Sequence, residues 1–455
     1  MIKLYNTLTR RLEDFKPIKK GFVGIYSCGP TVYGPGHLGH ARSYTNFDLL
    51  KRVFLYQGFK VKHVLNITDI HDDMIKKARE LGISVNQLAN RYIPLFKKDI
   101  QELNIIKPTV FPRVTRHIPE IIKMTKILLK KGYAYIEKDG SVYFDISKFK
   151  NYGKLSGIKL KELKTGTRVE TDKYEKEEIS DFALWKGAKP GEPYWLSPWG
   201  KGRPGWHIEC SVMSQKYLGK TIDIHAGAMD LKFPHHENEI AQSEAANNVK
   251  FVNYWVHAGL LEVESKKMSK SLGNYIEIHE IKEKGFNPLA LRYLFLTAHY
   301  RQKLNFTWKG LEASEKALNK LYEKIKDLKS QKSKSRPSNL KKYKQEFIET
   351  IANDLNISKA LGLTWKMLKD KNVSPKDKYN LLLDFDKVFG FDLGKAEFYT
   401  RTNIPIEVKK LVELREKLRK QKKWQEADQV RKRVEKFGWQ VEDTSKGPKL
   451  KPKGT

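Results

Sequence analysis

The chain has 455 residues, 40% of them hydrophobic, and its 87 Lys and Arg stand against 53 Asp and Glu for a formal charge of +34. That length holds two or three domains with real cores, and so large a positive excess points to a polyanionic partner, most simply nucleic acid, with a lysine-rich background as the contributing alternative. Met1 to Arg11 lacks the apolar centre of a signal peptide and no apolar run reaches bilayer length, so a cytoplasmic protein with no membrane partner is expected, and its two cysteines, Cys28 and Cys210, read as thiols or metal ligands rather than a disulfide.

In chain order, Gly21 to Ser27 reads as a buried strand, followed by the loop Cys28-Gly29-Pro30-Thr31-Val32-Tyr33-Gly34-Pro35-Gly36 and by His37-Leu38-Gly39-His40, where a helix should begin. A strand, a Gly/Pro loop and a helix start make a phosphate-holding place through helix-end N–H groups and the positive dipole end. His37 and His40 can both donate to phosphoryl oxygens, and Gly39 lets a ligand approach the backbone; alone, His-x-x-His is more often a surface or metal-adjacent pair than a catalytic one, and it needs a partner motif. Phe47, Leu50 and Phe54 keep helical spacing up to Gly58, and Lys60 to Ile67 offers a second strand leading to Thr68. Strand, helix, strand is a βαβ unit, which predicts a parallel sheet with its binding edge at the strand C-termini, where Cys28 and Thr68 would lie.

Ser84-Val85-Asn86-Gln87 is a capping-box pattern opening a helix to about Asn104. Pro119 to Lys131 predicts an amphipathic helix closed by Gly132, and Tyr133 to Asp145 a hairpin around Asp139-Gly140. Phe149 to Pro193 has weak periodicity, so residues 113–200 read as an insertion between two halves of an α/β domain. Ile222 to His225 reads as a short strand, and Pro234 stands where a helix start favours proline, placing His235 and Glu239 on one face.

Cys28, Cys210, His235 and Glu239 would give two thiolates, an imidazole and a carboxylate, a set zinc tolerates. The alternative is that the cysteines are buried apolar groups and the histidines cap or pack, with His207, His225 and His236 as competing ligands. Lys267-Met268-Ser269-Lys270-Ser271 then places two lysines on a mobile loop suited to polyphosphate. Asn305 to Leu328 reads as a basic helix, Leu340 to Phe391 as amphipathic helices, Pro405 to Lys436 as two more rich in Lys and Arg, Trp439 to Glu442 as a short strand, and Lys446 to Lys453 as a flexible basic tail.

His-Leu-Gly-His paired with Lys-Met-Ser-Lys-Ser resembles the double signature of class I aminoacyl-tRNA synthetases. Tyr26-Ser27-Cys28-Gly29-Pro30-Thr31-Val32-Tyr33, the run Ser197-Pro198-Trp199-Gly200 to Cys210, and Phe233 to Gln242 are similar, within that class, to the cysteinyl enzymes. The resemblance covers essentially the whole chain; it departs from the family pattern at Ala228 and at His71, where a glycine and an aspartate are usual.

The resemblance implies a cysteine–tRNA ligase that joins L-cysteine to ATP as an adenylate and passes the acyl group to the terminal ribose of tRNA(Cys), with Mg²⁺ accompanying ATP. It implies an α/β Rossmann-like catalytic domain in two parts, 1–112 and 201–300, around the insertion at 113–200, then a helical anticodon-binding domain at 301–393 and a basic tRNA-binding module at 394–455, with a monomer favoured. Cys28, Cys210, His235 and Glu239 match the ligands of one Zn²⁺ per chain, His37, His40, Lys267 and Lys270 the catalytic signature, and Gly39, Gly227 and Asp230 further ATP contacts. Trp206 matches a wall of the amino-acid pocket, and Thr68 a partner for the amino group. Two rivals are a cysteine ligase acting on a small amine, whose relatives lack a long basic helical end, and a non-catalytic RNA-binding paralogue that would have lost the charged signature. This chain has the basic end and keeps the signature.

Overall fold

The computed structural model describes residues 1–158, 181–269, 272–331, 339–395, 406–444 and 447–452. A hairpin, β1 (Lys3–Asn6) and β2 (Arg11–Asp14), precedes β3 (Phe22–Ser27), helix α1 (Leu38–Tyr56) and β4 (Lys60–Leu65). Helices α2 (Asp72–Glu80), α3 (Val85–Glu102) and α4 (Ile118–Lys130) follow. Ser84 and Gln87 do form a reciprocal capping box at the start of α3.

Next come β5 (Ala134–Ile136), β6 (Val142–Phe144), β7 (Phe182–Gly187), β8 (Trp195–Ser197) and β9 (Gly200–Pro204), which build an antiparallel sheet in the order β5-β6-β7-β9-β8. Helix α5 (Trp206–Leu218), β10 (Ile222–Ala228), α6 (His235–Asn247) and β11 (Val252–Ala258) return the chain to the central sheet.

That central sheet has the order β11-β10-β3-β4, every pair parallel. From the middle pair the chain winds outward in opposite directions, β3 through α1 to β4 and β10 through α6 to β11. Such a reversal leaves a crevice at the strand C-termini, between the ends of β3 and β10. Cys28 and Gly227 therefore come to one place although the sequence separates them widely. The strands are buried on both faces, which explains their continuous rather than alternating apolar runs.

Beyond the sheet, β12 (Leu261–Val263) pairs antiparallel with β13 (Lys266–Lys267) and parallel with β14 (Leu304–Phe306). Helices α7 (Ile278–Glu283), α8 (Pro288–Leu296) and α9 (Trp308–Ser330) lead to α10 (Leu340–Ala352), α11 (Ile357–Lys369) and α12 (Pro375–Phe389). One hydrophobic core runs from Val23 and Leu50 through Leu291 to Phe347 and Phe385, so these helices are packed against the sheet rather than strung from it. No helix among the described residues is long and apolar enough to cross a membrane.

At the end of the chain, α13 (Ile406–Lys420) and α14 (Trp424–Lys436) pack on the hairpin β15 (Trp439–Thr444) and β16 (Gly447–Pro452) around Val408, Val430, Val434, Trp439 and Val441. Gly447–Pro452 is thus a strand where the sequence reads as a loose basic tail. Lys449 and Lys451 hide the pattern, but Leu450 lies opposite Val441 and closes the small core.

Candidate active site and donor cluster

Helix α1 begins with His37 as its N-cap, whose Nδ1 accepts from the amides of Gly39 at 3.1 Å and His40 at 3.4 Å. Two of the helix-start amides expected to face phosphate are therefore already engaged by the imidazole. The rings of His37 and His40 stack, with centroids 3.7 Å apart, and burial pushes the His40 pKa below its usual value. A Cβ at Gly39 would lie 2.9 Å from His37 Cε1, so the glycine makes room for that ring.

The lysine loop is zipped to this helix start. Leu38 N donates to Ile276 O at 3.1 Å and Ile278 N donates to Gly36 O at 2.8 Å, on either side of the His37–Glu277 bridge. Lys267 is exposed at the end of β13, opposite Glu262. Asn274 closes the loop, donating to Lys267 O at 3.0 Å and accepting from Ser269 N at 2.8 Å. Lys270 lies outside the described residues. The two signature segments, distant in sequence, are thus neighbours through backbone pairing.

At the crevice, Cys28 follows β3, Cys210 sits on α5, and His235 and Glu239 lie one turn apart on α6. One ligand atom from each falls within 4.8 Å of all the others, and all four residues are buried. His235 Nε2 is 3.2 Å from Glu239 Oε1, and Cys28 Sγ 3.9 Å from the same oxygen; both cysteines are free thiols.

Burial opposes ionisation of Cys28, yet hydrogen bonding with Cys210 and His235 outweighs it and brings the thiol down to about 6. Burial and the neighbouring Cys28 push the Cys210 thiol up. The His235 imidazole, which burial alone would hold neutral, is drawn up to about 10 by Cys28 and Glu239. Three acids and a base, all buried, here share protons. A thiophilic cation can displace those protons, and two sulfurs, an imidazole and a carboxylate fit Zn²⁺ rather than a hard cation such as Mg²⁺.

An outer ring orients these donors. Glu239 Oε2 is 2.9 Å from His225 Nε2, and His235 Nδ1 is 2.9 Å from His207 Nδ1. Trp206 lies tilted on His235 with centroids 4.5 Å apart. Gly227 has a packing reason for lacking a side chain: a Cβ there would sit 2.2 Å from His236 Cε1. Asp230 is exposed on the turn Met229–Lys232 after β10. Thr68 is buried and donates to Glu209 Oε2 at 2.8 Å, and burial pushes the Glu209 carboxyl well up. His71 caps α2, its Nδ1 accepting from Asp73 N at 3.2 Å.

Sequence reasoning did not single out His257 or Glu209. His257 comes to the site because β10 and β11 are parallel neighbours with Gly227 in register with it, a pairing that no local sequence pattern gives. Nothing in the sequence around Glu209 distinguishes a buried carboxylate from a surface one on a helix.

The doubly wound parallel sheet carries paired histidines on the helix start at its switch point, and the segment that follows the lysine loop pairs with that helix start through Ile276 and Ile278. The chain belongs to the class I aminoacyl-tRNA synthetases: residues 14–316 match the family model described as "tRNA synthetases class I (C) catalytic domain". Membership carries ATP-dependent ligase activity, with Mg²⁺ accompanying ATP.

Among solved structures, methionyl-tRNA synthetase of Mycobacterium tuberculosis in complex with methionyl-adenylate is similar, with TM-score 0.61 and 14% identity over 82% of this chain and 92% of that one. The Agrobacterium radiobacter K84 agnB2 LeuRS, in its ternary complex with tRNA and LeuAMS, gives TM-score 0.59 and 12% identity over 84% and 85%. At these identities the likeness shows a shared fold.

Proposed function

We propose that the chain is a cysteine–tRNA ligase. The observation that carries this reading is the convergence of Cys28, Cys210, His235 and Glu239 within 4.8 Å at the sheet's switch point. A pocket of ordinary shape separates cysteine from serine poorly, because the two differ in a single atom. When bound in that cluster, Zn²⁺ supplies an open Lewis-acid position that prefers a sulfur ligand to a hydroxyl. Trp206, packed on His235, walls the pocket, and Thr68 orients the amino group.

The amino-acid carboxylate then attacks the α-phosphorus of ATP; the new C–O–P linkage forms as the bond to pyrophosphate breaks, and the leaving group keeps the electron pair. His37 and His40 hydrogen-bond the phosphates, while Lys267 and Lys270 neutralise the departing pyrophosphate. Gly39, Gly227 and Asp230 complete the ATP contacts. Transfer of the acyl group to the tRNA terminal ribose follows. We assign 1–112 and 201–300 to the catalytic domain, 113–200 to the insertion, and 301–393 and 394–455 to tRNA(Cys) binding, a role supported by the +34 charge.

ATP–pyrophosphate exchange run with cysteine and with serine, beside metal analysis, tests the reading. Exchange with cysteine should exceed that with serine by more than about 10²-fold, with about one zinc per chain; exchange with a different amino acid alone would overturn the assignment. Lys270→Ala should slow adenylate formation by about 10²–10³-fold with zinc retained, and unchanged single-turnover adenylation would remove the role given to that lysine.

A further inference from the structure

The donor cluster has a second side. Cys28, His225, His236 and Glu239, all buried, also present ligand atoms within 4.8 Å of one another. The two sets share Cys28 and Glu239, with Cys210 and His235 on one flank and His225 and His236 on the other. The Glu239 carboxylate stands between the flanks: Oε1 lies 3.2 Å from His235 Nε2 and 4.0 Å from His236 Nε2, and Oε2 lies 2.9 Å from His225 Nε2. Cys28 Sγ is 3.3 Å from His236 Nε2. A carboxylate between the two flanks and a sulfur reached from both sides are the groups that bridge paired cations.

The flanking histidines are built as ligands are. His236 Nδ1 is held by His257 Nε2 at 2.8 Å, and His257 Nδ1 by Thr7 Oγ1 at 2.9 Å, the outer support that fixes a ligating ring. Trp255 stacks on His225 with centroids 4.5 Å apart, and His225 Nδ1 has no hydrogen-bond partner. Charge favours the same outcome. Two thiolates and a carboxylate against a single dication leave excess negative charge among buried residues, and a second dication removes it.

We propose that His225 and His236 form a second seat for a thiophilic divalent cation, bridged through Cys28 and Glu239 to the seat that Cys210 and His235 complete. The ligand class is Zn²⁺ or a cation of similar softness such as Co²⁺. The inference goes beyond the cysteine–tRNA ligase reading and does not need it, since it concerns stoichiometry rather than the amino acid chosen.

Equilibrium dialysis of the full chain against graded Zn²⁺ or Co²⁺, followed by metal analysis, should show binding rise from one to two cations per chain. X-ray absorption at the zinc edge of the doubly loaded protein should show a metal–metal distance of about 3.5–4 Å. His225→Phe should hold only one cation at saturation. Gly227→Ala keeps every donor but crowds His236 and should weaken the second cation at least tenfold, with a single cooperative melting transition checking that the variant folds. Saturation at one cation, or a second cation indifferent to both substitutions, overturns the proposal while leaving the first seat standing. No bound cation at any concentration overturns both this seat and the zinc reading under the proposed function.

Discussion

Two centres in this molecule bury charge completely, and they do so to opposite ends. In the first, Asp48 of α1 receives Arg52 Nε and Arg292 Nη2 on one oxygen, each at 2.6 Å, and the amide of Ile106 on the other at 2.8 Å. The guanidiniums spend their remaining donors on carbonyls: Arg52 on Lys387 and Asn104, Arg292 on Phe389 and Leu103. In the second, Cys28, Cys210, His235 and Glu239 hold more anionic donors than the surrounding protein answers with positive charge. A buried ionic group whose partners are all protein atoms ties elements together, here α1, the end of α3, α8 and the end of α12. A buried group with donors in excess is prepared for something from outside.

Breaking the first centre should have the largest effect. Asp48→Ala leaves two buried guanidiniums facing each other and should cost about 3–5 kcal/mol of unfolding free energy, read by denaturant titration. Burial alone would raise the Asp48 carboxyl; Arg292 and Arg52 outweigh it and hold the carboxyl below the usual carboxylate range. A depressed folded pKa contributes stability that is fully present above the unfolded value, about 3.9, and is lost as pH falls through the folded one. The stability gap between the wild type and Asp48→Ala should therefore narrow below about pH 4. A gap that stays constant to pH 2 would show that the carboxylate charge is not what matters there.

Cys210→Ser should fall between the extremes. Metal analysis should find zinc lost, while the metal-free protein gives up only about 1–2 kcal/mol, because a hydroxyl replaces a thiol without stranding a charge. A fully metallated variant would break the ligand assignment. The smallest effect is expected in the C-terminal module, where the buried Arg415 and the part-exposed Arg419 both pair with Asp443, repeating the arginine–aspartate–arginine arrangement around a carboxylate that water reaches. Asp443 keeps 45% of its side-chain surface in solvent, so Asp443→Ala should cost less than about 1 kcal/mol in thermal unfolding. A loss as large as that at Asp48 would mean that burial does not set the scale.

The β3-α1-β4 unit, the Ser84 capping box and the Pro234 helix start were legible because each depends on local chemistry and spacing. The neighbourhood of Cys28, Cys210, His235 and Glu239 was legible only through residue type and resemblance; its assembly comes from the reversal between β3 and β10, which no local pattern encodes. The Asp48 centre was not legible. Asp48, Lys51 and Arg52 are charged residues on α1, yet all are buried where α3, α8 and α12 pack against that helix. The spacing of Asp48 and Arg52, one helical turn apart, was the available hint. Antiparallel strands β7, β8 and β9 escaped notice because short strands in a Gly/Trp/Pro-rich stretch carry almost no alternation.

The pairing of Gly36 and Leu38 with Ile278 and Ile276 has a dynamic consequence. The described ends of this segment are held at Lys267 to its own hairpin and at Ile276 to the entrance of α1. Any excursion wider than its tether requires those two backbone bonds to part. The amides of Leu38 and Ile278 should then exchange with deuterium in step, at one rate that slows together when nucleotide holds the two segments closed.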